Sequence, residues 1–260
     1  MSARPVGYYR PGDSWLHVRH PLTKLVALVW FTVVSFVLPP VALPVLGILV
    51  LVAAISTDLL APLIRSLRVP AVLFASILIV NAFFFPGSFE RIISIGPVGL
   101  SWEGILFGVI TAARIFVVFV ASILFLFTTL PDDLLEGLVD KGASHRLAFV
   151  VLSAIQLVPR LQNRAAAIQD AQQARGLRVQ GSMATRIRAL IPLTGPIVLG
   201  SLIDTRERTL ALEARAFGSR RDRTAYRIVR DPSIDRWIRL LIVLSLAGIL
   251  VAAFLGLLAG

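Results

Sequence analysis

Leu25 to Thr57 reads LVALVWFTVVSFVLPPVALPVLGILVLVAAIST, 33 residues without a single charge. As one helix it would run about 50 Å, well beyond the roughly 30 Å of hydrocarbon in a bilayer. Pro39-Pro40 lies inside it, and consecutive prolines remove donors and disfavour helix before them. The stretch therefore reads as two short apolar helices joined by a tight turn. Outward from it the same signal recurs. Val69–Phe89 is apolar apart from Asn81 and ends at Pro86-Gly87; Gly104–Leu130 carries Arg114 as its one charge; Trp237 to the C-terminus is interrupted early by Arg239. The whole chain is 57% hydrophobic and 16% charged, with a mean hydropathy of +0.83. Such figures exclude a water-soluble single domain and a disordered chain alike. The expected fold class is an all-α integral membrane protein with about five transmembrane helices and a cytoplasmic domain of long helices. Ile92–Leu100, between the third and fourth spans, reads as a short turn or hairpin.

The expected organisation is a cytoplasmic N-terminal segment 1–24, transmembrane helices one to four over 25–130, a cytoplasmic helical domain 131–235 and a final transmembrane helix 236–260. Basic residues set the orientation. Segment 131–235 holds 16 Lys/Arg, the first 24 residues hold four and the 58–70 loop holds Arg65 and Arg68, whereas the Pro39 turn holds none and 86–103 holds only Arg91. Positive residues favour the cytoplasmic side, so the N-terminus and 131–235 are expected inside and the C-terminus outside. The expected location is the cell membrane, multi-pass. The first apolar run lacks a small-residue cleavage site, so a secretory signal peptide is not expected.

Within 131–235, the apolar runs Leu147–Pro159 and Ala189–Ile203 are each at most 15 residues long. They are short for crossing a bilayer and read either as interfacial helices or as short membrane hairpins. Each leads into a polar, arginine-bearing stretch. The first reads Ala171-Gln172-Gln173-Ala174-Arg175-Gly176, and the second, 40 residues later, Ala211-Leu212-Glu213-Ala214-Arg215-Ala216. Both follow helix-favouring sequence and stop near glycine, Gly176 and Gly218, so each arginine is expected on the last turn of its helix. Two roles remain open for Arg175 and Arg215. Either they complement the negative helix end, worth about 0.3–1 kcal/mol, or small alanines let them reach a groove on a partner, where an arginine fork suits carboxylates and helix-end carbonyls.

The sequence resembles the transmembrane T component of energy-coupling factor (ECF) transporters, the ABC-related importers of vitamins and metal ions. The likeness rests on Gly12-Asp13-Ser14-Trp15-Leu16-His17 with Pro21 and Lys24, Pro131-Asp132-Asp133-Leu134-Leu135, Leu157-Val158-Pro159-Arg160, Ile191-Pro192-Leu193, and the two motifs centred on Arg175 and Arg215, the second continuing into Phe217-Gly218. The resemblance implies that Ala174, Arg175 and Gly176, with Ala214, Arg215 and Ala216, end two coupling helices. Each helix would dock on one of two cytoplasmic ABC ATPase subunits or domains. It further implies a membrane-embedded substrate-binding S component as partner, with ATP and Mg held by the ATPases and no cofactor in this chain. The second motif reads Ala-Arg-Ala where the first reads Ala-Arg-Gly.

The rest of the chain agrees with a non-catalytic subunit. No G-x-x-x-x-G-K-[ST] loop is present, nor G-x-S-x-G, nor H-E-x-x-H, and there is no cysteine. His17, His20 and Asp13 have irregular spacing for a metal, and no metal site is expected. Arg114 lies at membrane depth, where a charge is costly; an internal contact, with a carbonyl or Asn81, is the favoured reading over an anion site. Arg220, Arg221, Arg223, Arg227 and Arg230 fit lipid headgroups and topology better than nucleic acid. The alternative function is an ordinary ABC-importer permease that forms the solute pathway itself. Its E-A-A-x-x-x-G loop is approached at Glu213-Ala214, but Arg215 replaces the second alanine and Gly218 comes one position early.

Overall fold

The structure is a computed structural model that describes residues 9–85, 91–95, 98–176, 183–216 and 231–256, without the side chains of 91–95, 98, 183–190 and 192. The described residues form α1 (Trp15–Val18), α2 (Pro21–Val37), a 3₁₀ turn (Pro40–Ala42), α3 (Leu43–Ser56), α4 (Leu60–Phe84), strands β1 (Arg91–Ile95) and β2 (Val98–Ser101), then α5 (Trp102–Thr128), α6 (Pro131–Val139), α7 (His145–Ala174), α8 (Met183–Ala214) and α9 (Ser233–Phe254). Among the described residues the regular structure is helical apart from one antiparallel hairpin, β1 with β2, in which Ile93 pairs with Leu100 and Ile95 with Val98. Two compact units result: Met1–Gly137 with Val229–Gly260, and Leu138–Ile228.

In the first unit the 33-residue apolar run breaks where the prolines require. Helix α2 stops at Val37, one residue before Leu38, which is extended ahead of Pro39. Helix α3 carries Pro44 in its first turn, where the missing N–H costs nothing. Helices α4, α5 and α9, of 25, 27 and 22 residues, are long and apolar enough to cross a membrane, and the shorter apolar helices are Pro21–Val37 and Pro40–Ser56. The third apolar helix begins earlier than its charge-free run. Arg65 and Arg68, read from sequence as loop residues, lie in the first turns of α4, and Pro70 follows inside the same helix. Long basic side chains at a helix end can carry their charge away from the apolar body, so a charge does not mark the helix boundary.

Helix α5 is central, packing on α2, α3 and α4; its Val117, Val120, Leu124 and Phe127 join Val34, Leu46, Val50 and Leu63 in the core. Lipid tails are as apolar as leucine, so such helices hold together through close packing and polar contacts rather than water exclusion. Both are visible. Gly104 and Gly108, four residues apart on α5, let α4 approach. A Cβ at Gly104 would overlap the Asn81 carbonyl oxygen and stand 2.6 Å from Ser101 Oγ, and one at Gly108 would stand 3.3 Å from Asn81 Cβ. The polar counterpart joins α9 to the N-terminal segment. Asp235, fully buried, accepts from Arg19 Nη1 at 3.1 Å and from the His20 N–H at 2.9 Å. Arg239 donates to both carboxylate oxygens of Asp231, at 2.9 and 2.7 Å. Lys24 Nζ donates to the Thr128 carbonyl at 2.7 Å, tying α2 to the end of α5.

The second unit is built on α7 and α8, of 30 and 32 residues, each about 45 Å long at 1.5 Å per residue. The apolar run Leu147–Pro159 lies in the first half of α7, and Ala189–Ile203 spans the middle of α8. Pro159 lies within α7, and Pro192 and Pro196 fall within α8, without ending either.

Candidate coupling site

The two arginine motifs end the two long helices. Helix α7 stops at Ala174 and Arg175 takes the cap position, at φ −86° and ψ 6°. Its N–H donates to Gln172 O at 3.1 Å, and the Gly176 N–H to Gln173 O at 2.9 Å. Helix α8 ends alike at Ala214: the Arg215 N–H donates to Leu212 O at 3.2 Å and the Ala216 N–H to Glu213 O at 2.9 Å. Each motif arginine thus sits one residue past its last helical turn. Gly176 has φ +94° and Ala216 has φ +55°, so both motifs close with a left-handed residue. The Ala-Arg-Gly and Ala-Arg-Ala sequences therefore share one backbone ending.

Backbone turns bind helix-end carbonyls at both sites, and neither arginine side chain has a hydrogen bond or ion pair among the described residues. Arg175 and Arg215 are exposed, as are Ala174, Gly176, Ala214 and Ala216. Two exposed arginines, each flanked by small residues, thus stand at matched helix ends. Phe217, Gly218 and the arginines from Arg220 to Arg230 lie outside the described residues.

The other polar residues singled out in the sequence have local roles. Asn81 Nδ2 donates to Ile77 O at 2.8 Å, and its backbone rests on Gly104, roughly three turns from Arg114 along α5. Arg114 places its guanidinium carbon 6.0 Å from the centre of the Phe36 ring, while its buried Nε has no hydrogen-bond partner among the described residues. Both ring nitrogens of His17 are engaged, Nδ1 with Ser14 Oγ at 2.6 Å and Nε2 with Arg10 O at 3.0 Å. Gly12 lies against that ring, with a Cβ there 3.0 Å from His17 Cε1, and Trp15 Nε1 donates to Ser56 Oγ at 3.0 Å. The Gly12–His17 motif is thus a folded unit bound to the apolar helices. Sequence reasoning did not single out Asp235 or the Gly104/Gly108 pair. The second was readable as a small-x-x-x-small pattern in an apolar helix; the first is one aspartate among 15 acidic residues, with nothing local to distinguish it.

The chain is similar to known transport proteins. The cobalt transport protein family, CbiQ, matches residues 12–226. The energy-coupling factor transporter transmembrane protein EcfT of Heliobacterium modesticaldum is 28% identical over 233 residues, covering 85% of this chain and 87% of its own. That of Bacillus selenitireducens is 28% identical over 264 residues, covering 96% and 97%. A Bifidobacterium longum protein named as an ABC transporter ATP-binding protein is 27% identical over 251 residues, which span 92% of this chain but 32% of that one.

Proposed function

The chain belongs to the CbiQ family of cobalt transport proteins, and from this premise we propose that it is the transmembrane coupling subunit of an ECF-type importer. ATP binding closes a pair of partner ATPases, the two arginine-ended helices move with them, and the displacement reorients a membrane-embedded S component that holds a vitamin or metal ion. The chain contributes force transmission and no catalytic step; ATP and Mg belong to the ATPases. The observation that carries this reading is the matched ending of α7 and α8, with an exposed arginine at each that is unengaged among the described residues. An ordinary permease would need a single coupling loop, whereas two equivalent ends fit two ATPase subunits. A relative named for ATP binding in which a region similar to this chain makes up about a third of the length supports partnership with an ABC ATPase.

Orientation follows from the charge distribution, with the N-terminus and 131–235 on the cytoplasmic side. The test is reconstitution. Proteoliposomes holding this chain, both ATPases and an S component should take up substrate on ATP addition, while the purified chain alone should show no saturable nucleotide binding. Uptake by this chain and ATPases without any S component would favour the permease instead.

A further inference from the structure

Helices α7 and α8 contact one another where Arg164 meets α8 at two positions one turn apart. Arg164 Nη1 donates to Asp204 Oδ2, and the same guanidinium lies over Gly200, where a Cβ would fall inside it. Glycine at that position is what allows an arginine to pass between two helix backbones. By itself the ion pair would carry little weight, since Arg164 is 35% exposed and Asp204 59%, and pairs in such settings contribute little to stability. Its placement is what distinguishes it. Arg164 precedes Arg175 by eleven residues, and Asp204 precedes Arg215 by the same eleven. Eleven residues make about three turns, so each motif arginine returns to within about 20° of the face that carries its helix's crossing residue, roughly 16 Å further along. The ion pair and the motif pair thus share one 40-residue offset. The two helices cross at equivalent points, with arms of equal length ending in the two arginines.

We propose that Arg164, Asp204 and Gly200 form the pivot of the coupling unit, positioning residues that fix the spread of the Arg175 and Arg215 ends and make the two move together. The proposal rests on the coupling reading above for its consequence in transport, but not for its geometry. A displacement imposed at one arginine turns its helix about the crossing. The guanidinium, held between Gly200 and Asp204, transmits that turn to the other helix instead of letting the two slide. The prolines lie upstream of the crossing in both helices, at Pro159 and at Pro192 and Pro196, so the arms that follow are unbroken.

Two measurements test this. The chain has no cysteine, so Gln173→Cys with Glu213→Cys gives a background-free pair of spin labels on the exposed ends, and the distance distribution is read in the full-length purified chain without ATPases. Arg164→Ala, Asp204→Ala and Gly200→Leu should each broaden or shift that distribution, and the exchange Arg164→Asp with Asp204→Arg should restore it. In proteoliposomes of the complete transporter without labels, the single alanine variants should lower uptake per ATP hydrolysed by about fivefold or more, a typical coupling factor, while ATPases still copurify. The exchanged pair should recover most of that ratio, which a merely structural loss would not. The proposal is overturned if the alanine variants keep both the wild-type distribution and the wild-type ratio, or if the exchange is no better than the single variants. Failure of the coupling reading would look different, because the wild-type chain would then neither recruit ATPases nor support uptake while the distance changes persisted.

Discussion

Gly176 and Ala216 occupy the same left-handed backbone position at the ends of two helices, with φ of +94° and +55°. For glycine this costs nothing, whereas the Cβ of alanine crowds the following carbonyl and costs about 1–2 kcal/mol. The α8 end therefore holds strain that the α7 end lacks. Ala216→Gly should protect the last turn of α8, slowing hydrogen exchange at Arg215 and Ala216 by roughly tenfold, as about 1.4 kcal/mol implies. Gly176→Ala should speed exchange at Arg175 and Gly176 by a similar factor. Equal exchange in all three proteins would mean that neither position is held in the left-handed backbone.

At the α4–α5 interface the small residues define the fit. Gly104→Val would drive its side chain into the Asn81 carbonyl and Ser101 Oγ, an overpacking that typically costs about 1–3 kcal/mol. Gly108→Ala is milder, since the nearest atoms stand at 3.3 Å. Thermal unfolding in detergent should rank wild type above Gly108→Ala and that above Gly104→Val; a Gly104→Val protein as stable as wild type would place α4 further from α5.

The buried carboxylate of Asp235 holds the start of α9 to the segment before α2, through Arg19 and the His20 N–H. Removing it leaves the His20 N–H without this acceptor, a loss of about 1–3 kcal/mol, while Arg19, 30% exposed, can turn to solvent. Asp235→Ala should therefore unfold well below wild type, and Asp235→Asn should recover part of the loss by keeping an acceptor for the His20 N–H. Exposed Arg236, whose Nε stands 3.6 Å from Asp231, is the control; its alanine variant should unfold within a degree or two of wild type, as surface pairs predict.

Topology is open to the same cysteine-free background. Val41 stands 85% exposed in the turn between α2 and α3, and Gln173 is exposed near the end of α7. An impermeant maleimide should label Val41→Cys in intact cells and Gln173→Cys only after permeabilisation. The reverse pattern would invert the orientation drawn from the arginines.

Much of this molecule was legible in its sequence because its signals are local. Pro39-Pro40 ends one helix and starts the next whatever surrounds them, and the A-x-x-A-R repeat at 171–176 and 211–216 reads directly as two matched helix ends. The start of α4 was not legible, because Arg65 and Arg68 look like loop residues until the helix carries them. Nor were the crossing at Arg164, Gly200 and Asp204 and the anchor at Asp235, which pair residues 40 and 216 positions apart. Periodicity locates helices but not the partners that meet across them.

The roles of Arg175 and Arg215 can be decided by magnitude. Truncating one partner of a buried, charge-assisted contact typically costs about 2–5 kcal/mol, whereas an arginine that only complements its helix end is worth no more than about 1 kcal/mol. Both side chains are unengaged among the described residues, so either alanine variant should leave the isolated chain folded and unchanged in thermal stability. In the complex each should weaken ATPase copurification or lower uptake per ATP by at least about tenfold, and the double variant should do worse. Lysine at either position should rescue poorly, because it keeps the charge but loses the planar fork. Arg221→Ala should leave assembly and uptake near wild type. Wild-type assembly and uptake in both alanine variants would reduce the repeat to helix-end chemistry, and the coupling assignment would lose the feature that carries it.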